Sequence, residues 1–289
     1  MIVVTGATGQ LGKSIVKTLL GHVPANRIIA SVRDVGKAQD LAASGVDVRA
    51  GDFSDPQGLT AAFAGAEQVL IVSADKLGEE ALRLHRNAIE AAARAGARRI
   101  LYTSHMGARL GSPFAPADQH AGTERDLAQS GLATTSLRHG FYAESCLYMI
   151  GEDLRKGELR VPEDGPVSWT ARNDLAEADA VILAEDRAWD GISPPLTASQ
   201  ALTMAEVAAL ASEVTGREVR HVTISDDEWL EAKQASGMPK RYAYMLLGVF
   251  RAARRGDFGV TDPTLETLLC RSPRTMRQML IASGQQAVE

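Results

Sequence analysis

Residues 3–20, "VVTGATGQLGKSIVKTLL", admit two incompatible readings. Ala7 through Ser14 fit a relaxed phosphate-loop pattern, in which a small residue and four others precede Gly-Lys-Ser. Gly6, Gly9 and Gly12 also fit the glycine spacing of a dinucleotide-binding turn. A phosphate loop needs its lysine at the start of the helix and a second strand running into an aspartate for magnesium. The run "QVLIVSAD" at 68–75 does reach Asp75, but Ser73 and Ala74 separate it from the last apolar position. The dinucleotide reading needs a strand ending at Thr5 and a helix beginning near Gly9 or Gln10. The first amides of that helix then face a pyrophosphate, with the positive end of its dipole behind them. Gly6 serves the tight turn, Gly9 the close approach of phosphate and Gly12 the packing of helix on strand. Lys13 becomes a surface lysine.

The strands that follow favour the second reading. "RIIASVRD" at 27–34 ends where an acidic residue would hold the adenosine ribose of NAD, and Val32 and Arg33 stand there instead. An arginine at that position suits the 2′-phosphate of NADP through charge-assisted hydrogen bonds. Lys37 would assist if its loop folds back. "VDVRAGDFSD" at 46–55 sets Asp52 just after a third strand, where its carboxylate would accept from an adenine amino group. Phe53 is counted in the same site. The expected cofactor is NADPH, held by Gly6, Ala7, Thr8, Gly9, Gln10, Leu11, Arg33, Lys37, Asp52 and Phe53.

Bulk composition narrows the class. Of 289 residues, 45% are hydrophobic and 23% charged, enough apolar material for a sizeable core in a soluble chain. A formal net charge of −5 argues against nucleic acid or an anionic membrane as partner. Cys146 and Cys270 form no CxxC pair, and the histidines form no HExxH spacing, so no metal site is expected. No apolar run approaches the ~18 residues of a membrane span. The chain opens on "MIVVTG" without a charged leader, and the expectation is a cytoplasmic protein.

Short apolar runs, "MIVV", "RIIASV", "VDVRA", "QVLIV", "RILYTS" and "ATTSLR", alternate with helical stretches up to about residue 150. That alternation predicts an α/β, Rossmann-type doubly wound parallel sheet over 1–150. Residues 151–289 read as a smaller, mostly helical subdomain on the substrate side, with later segments returning to the sheet as an open option. Within it Asn173 or Asp174, Thr203 with Glu206, Ser225 with Glu228, and Ser272 before Pro273 carry helix-start signals.

The glycine turn, Arg33 and Asp52, followed in order by "SVRDVGKAQDLAASG", "HRNAIEAAARAG", "YTS", "ADQHAGTERDLAQSG", "SLRHGFYAES" and "RNDLAEA", resemble an atypical short-chain dehydrogenase of the NmrA-like group. Type 2 NADPH:quinone oxidoreductases and triphenylmethane reductases of that group are the nearest in pattern. The resemblance implies NADPH stretched across the strand ends, with Ser73, Ala74 and Thr103 beside it. It also implies His139, Gly140 and Phe141 along the nicotinamide, although asparagine is expected at the His139 position. Wider dehydrogenases carry Tyr and Lys four positions apart after the fifth strand, and here His120 and Glu124 take that spacing. A quinone needs less acid help than a ketone, because its reduced form is a phenolate-like anion with a pKa of about 10. The implied activity is hydride transfer to a small aromatic or quinone-like substrate, with Ser104, His120 and Tyr142 as catalytic candidates. A tailoring reductase for an aromatic metabolite shares that chemistry; a catalytically silent NADP-binding redox sensor does not. A homodimer is a further expectation.

Overall fold

The computed structural model describes residues 1–187 and 189–286. Strands β1 (Ile2–Thr5), β2 (Ile28–Val32), β3 (Asp47–Ala50), β4 (Gln68–Ile71), β5 (Arg99–His105) and β6 (Ala133–His139) lie parallel in one sheet. A two-residue strand joins its edge: with β7 (Phe141–Tyr142), β8 (Glu158–Pro162) and β9 (Trp169–Thr170) numbered between, it is β10 (Gly191–Ile192). The order is β10-β6-β5-β4-β1-β2-β3, so the chain reverses direction between β1 and β4. Open α/β sheets bind their ligands at that point, beyond the carboxyl ends of the strands.

Strand side chains alternate between two cores, as period-two pleating requires. Ile2, Val4, Ala30, Leu70, Leu101 and Leu137 face α1 (Gln10–Leu19) and α7 (Arg172–Ala184), while Val3, Ile29, Ile71, Ile100 and Tyr102 face the other way. The second face is covered by α3 (Pro56–Ala62), α4 (Gly78–Arg94) and α5 (Ala115–Ala128), the short α2 (Gln39–Ala43) lying earlier in the chain.

Residues beyond 150 supply both bodies. Helix α6 (Ala143–Lys156), α8 (Met204–Thr215), α9 (Asp226–Ala235), α10 (Lys240–Arg254) and α12 (Met276–Gln286) surround a two-stranded sheet of β8 and β11 (Arg220–Ile224). Their core centres on Trp169, Trp229, Phe250 and Phe258. Between them, α7 (Arg172–Ala184) and α11 (Thr264–Leu269) return to the main sheet, α7 lying along α1.

The helix starts correct several sequence expectations. Thr203 and Glu206 do form a reciprocal capping box. Ser225 accepts from the Glu228 amide, but the Glu228 carboxylate goes to Arg160 at 2.6 Å, so that box is half made. Helix α7 is capped at Ala171, ahead of Asn173 and Asp174. Asp174 is fully buried instead, accepting from the Arg271 guanidinium at 2.8 Å and the Arg274 amide at 2.6 Å. Ser272 caps no helix; it donates to Glu266, and α12 starts after Thr275, whose hydroxyl accepts from the Gln278 amide.

Candidate active site

The turn between β1 and α1 adopts the geometry its glycines allow. Gly6 lies at φ +59°, and its carbonyl accepts from the Gly9 amide at 2.8 Å. A Cβ on Gly12 would come within 2.5 Å of the Gly6 carbonyl oxygen, so only glycine lets α1 sit this close to the turn. Helix α1 starts at Gln10 with no side-chain cap, leaving its first amides free toward the groove. These features fit a pyrophosphate and leave the phosphate-loop reading without support.

Beside this turn the segment after β4 is held by three side chains from three elements. The Val72 amide donates to Thr5 Oγ1, the Ser73 amide to Thr103 Oγ1 and the Ala74 amide to His85 Nε2, each at 2.9 Å. His85 is fully buried, and its Nδ1 meets Thr123 Oγ1 at 2.8 Å. Since Nε2 accepts, the neutral ring carries its proton on Nδ1. Burial holds its pKa down to about 4.

Residues 72–75 line two cavities, one on each side. The first, about 420 Å³, is lined by Gly6, Thr8, Gly9, Arg33, Asp52 and Phe53, among others. Arg33 is exposed just past β2 and, among the described residues, has no side-chain hydrogen bond or ion pair. Asp52 Oδ1 accepts from both the amide and the hydroxyl of Ser54 at 2.7 Å, and those bonds lower its pKa. It therefore anchors its own turn while facing the cavity. Lys37, in the short helical turn after β2, is not among the residues that line this cavity, and its exposed ammonium lies 3.8 Å from Asp34. Ala7 is fully buried and contributes backbone alone.

The second cavity, about 470 Å³, takes in Gln10, Leu11, Thr103, Ser104, His105, Phe114, His120, His139, Gly140, Phe141, Tyr142 and Arg172. Its wall is set by a match of periods. Residues two apart on a strand are spaced by about 6.6 Å and residues four apart on a helix by about 6 Å. Tyr102 and Ser104 on β5 thus oppose His120 and Glu124 on α5, one pair each. Tyr102 Oη lies 2.7 Å from His120 Nδ1, and Ser104 Oγ donates to Glu124 Oε1 at 2.7 Å. Arg138 closes the second pair with a fork onto Glu124, at 3.0 and 2.8 Å. Burial, reinforced by neighbouring His105, His85 and His139, holds His120 well below the usual histidine range, so its imidazole is neutral.

His139 points away from solvent, with Nε2 2.9 Å from Asp179 Oδ1, both side chains fully buried. Tyr142 lies beneath the Arg172 guanidinium, 5.0 Å from its ring centroid, and burial raises its hydroxyl pKa. Arg172 was not signalled by the sequence. It reaches Gln10 at the start of α1, and its amide is held by the Glu144 carboxylate at 3.1 Å. Phe258, from the "RRGDFG" stretch, packs against His105, Phe114 and Phe141 behind the cavity. Among the described residues no cluster of His, Cys, Asp or Glu has metal-binding geometry, and no helix is long and apolar enough to cross a membrane.

Known proteins match this chain over most or nearly all of its length. Quinone oxidoreductase 2 of Escherichia coli is 36% identical over 279 residues, covering 96% of each chain. Its NADPH-complexed crystal structure superposes with a TM-score of 0.93, covering 98% of this chain and 100% of that one. The Citrobacter triphenylmethane reductase complexed with NADP(H) gives a TM-score of 0.89 at 32% identity, covering 98% and 99%. An NAD(P)H azoreductase of Xenophilus azovorans is 34% identical over 84% of both chains. The NmrA-like family profile matches residues 1–275, and the chain belongs to the NmrA-like family.

Proposed function

We propose that this chain is an NAD(P)H-dependent oxidoreductase that takes NADPH and passes hydride to a quinone or similar conjugated electrophile. The observation that carries the proposal is the sharing of residues 72–75 by two cavities. One has the glycine turn and an arginine with no ion pair among the described residues, which suit a dinucleotide phosphate. The other has aromatic walls that suit a flat acceptor beside it. Relatives named for quinone, azo-compound and triphenylmethane reduction support the same class. When bound, NADPH supplies the hydride; the chain supplies binding, orientation and exclusion of water.

The residues divide accordingly. Gly6, Thr8, Gly9 and the first amides of α1 hold the pyrophosphate, Arg33 the 2′-phosphate and Asp52 the adenine edge. Ser73, Ala74, His139, Gly140 and Phe141 border the nicotinamide half. No lysine stands four residues after His120, so acid catalysis of the ketone-reducing kind has no residue pair to run it. A silent redox sensor would close the second cavity, and about 470 Å³ of space there supports turnover. The test is steady-state reduction of a small soluble quinone, an azo dye and a simple ketone with NADPH. Turnover of the first two, with the ketone inert, is the expected pattern; turnover of the ketone alone would overturn it.

A further inference from the structure

Quinone reduction consumes one proton along with each hydride, and the acceptor cavity contains no Tyr–Lys pair to deliver it. We infer that Tyr102, His120 and Ser73 form a proton relay that feeds the acceptor from the nucleotide side of the groove, with Tyr102 setting the tautomer of His120. The inference rests on the reductase reading given above.

The geometry fixes each proton. Tyr102 is fully buried in β5 and lines neither cavity; its hydroxyl lies between Ser73 and His120, which line the acceptor cavity. The neighbouring Thr123 hydroxyl donates to the Gln119 carbonyl and accepts from His85 Nδ1, so it has no proton to give Tyr102. Ser73 Oγ is 3.5 Å from Tyr102 Oη, whereas His120 Nδ1 is 2.7 Å away, the ordinary span of a hydroxyl donating to a good acceptor. The Tyr102 proton therefore points to Nδ1. The neutral ring of His120 then carries its own proton on Nε2, the nitrogen Tyr102 does not occupy. His105, stacked on His120 at 6.0 Å between centroids, has its Nδ1 occupied by the Gly107 amide at 3.0 Å. It therefore offers His120 no competing acceptor on that nitrogen. Ser73 lines both cavities and is half-buried, so it stands where the two meet.

The transfer balances without any residue changing oxidation state. Once hydride has reached the acceptor, its phenolate-like oxygen forms an O–H bond as the His120 Nε2–H bond breaks. Nδ1 takes the Tyr102 proton, Tyr102 Oη takes the Ser73 proton, and solvent water supplies Ser73. Each group gives one proton and receives one, so no charge is stranded in the buried wall, where it would be costly. When product leaves, Nε2 takes a proton from water in the open cavity while the Nδ1 proton returns to Tyr102. Tyr102 returns one to Ser73 and Ser73 releases one to solvent, so the chain regains its resting tautomer with no net change of charge. Tyr102 is thus a positioning and relay residue, and His120 the group that touches the acceptor.

Two readouts test this. Ring-nitrogen NMR on the cofactor-free protein should give His120 as the Nε2–H tautomer, and Tyr102→Phe should mix the two forms. The second readout compares a quinone whose hydroquinone is weakly acidic with one whose hydroquinone is strongly acidic and needs no proton at neutral pH. His120→Gln should slow the first by about 10²-fold, and Tyr102→Phe by roughly five- to tenfold, the worth of one neutral hydrogen bond. For both variants the loss with the strongly acidic partner should be at least several-fold smaller. An Nδ1–H tautomer in the wild type, or equal losses with both acceptors, overturns the relay. Wild-type protein that reduces neither acceptor overturns the reductase reading instead.

Discussion

Ser104 and Glu124 are joined by a buried hydrogen bond of 2.7 Å, and Arg138 completes the group from β6. The hydroxyl proton of Ser104 is thereby committed to a carboxylate, although the residue lines the acceptor cavity. Ser104→Ala should lower stability by about 1.5–3 kcal/mol, the range for a hydrogen bond to a charged group, and change turnover only a few-fold. Denaturant unfolding and steady-state kinetics on one preparation check this. A hundredfold loss of turnover at unchanged stability would make Ser104 a direct contact of the acceptor.

Arg33 stands at the lip of the nucleotide cavity and, among the described residues, makes no side-chain hydrogen bond or ion pair, while the exposed Lys37 ammonium lies 3.8 Å from Asp34. Arg33→Asp should raise Kd for NADPH by about 10- to 100-fold, the worth of a charge-assisted bond, and leave NADH affinity equal or better. Lys37→Ala should leave the preference as it is. Fluorescence titration of both cofactors decides, and unchanged affinities in Arg33→Asp would place the 2′-phosphate elsewhere.

Gly12 is constrained by backbone on the opposite side of its turn: an added Cβ would meet the Gly6 carbonyl oxygen at 2.5 Å and the Thr5 carbonyl at 3.1 Å. Neither neighbour is a movable side chain. Gly12→Ala should push α1 off the turn, costing about 1–3 kcal/mol of stability and weakening NADPH binding with it. A variant with wild-type melting temperature and affinity would mean that the turn yields.

His85 couples acid stability to the floor of the site. Its folded pKa is depressed to about 4 by burial, against about 6.5 in an unfolded chain. Above pH 6.5 both states are neutral and the residue has no pH effect. As pH falls from there toward 4 the unfolded state takes up a proton that the native state refuses. Stability therefore drops by roughly 3 kcal/mol across that window. Urea midpoints at pH 7 and pH 5 should differ more in the wild type than in His85→Gln, and equal differences would contradict it.

The parts of the site written in local sequence were readable from it. The β1 turn, the end of β2 at Arg33 and the cap at Thr203 depend on neighbours within a few residues. The placing of Lys37 beside Asp34 depends on the short turn after β2, which residue types alone do not fix. Asp174 reads as a helix cap until Arg271, 97 residues later, and the Arg274 amide claim its carboxylate. Arg172 reaches the cavity, and Phe258 packs behind it, from segments with no catalytic spacing to mark them. Tyr102 reads as one more apolar strand residue. Its role comes from a helix whose i, i+4 spacing falls into step with the strand, which a single sequence does not display.

The measurement that tests the central claim most directly is single turnover of the preformed NADPH complex against a small soluble quinone. It is followed by loss of reduced-nicotinamide absorbance and repeated with NADPH deuterated at the transferring carbon and with NADH. The account predicts rapid loss with NADPH, a primary isotope effect, and much weaker use of NADH. Tight NADPH binding with no absorbance loss on adding quinone, azo dye or triphenylmethane dye would contradict it and leave a protein that holds the cofactor without spending it.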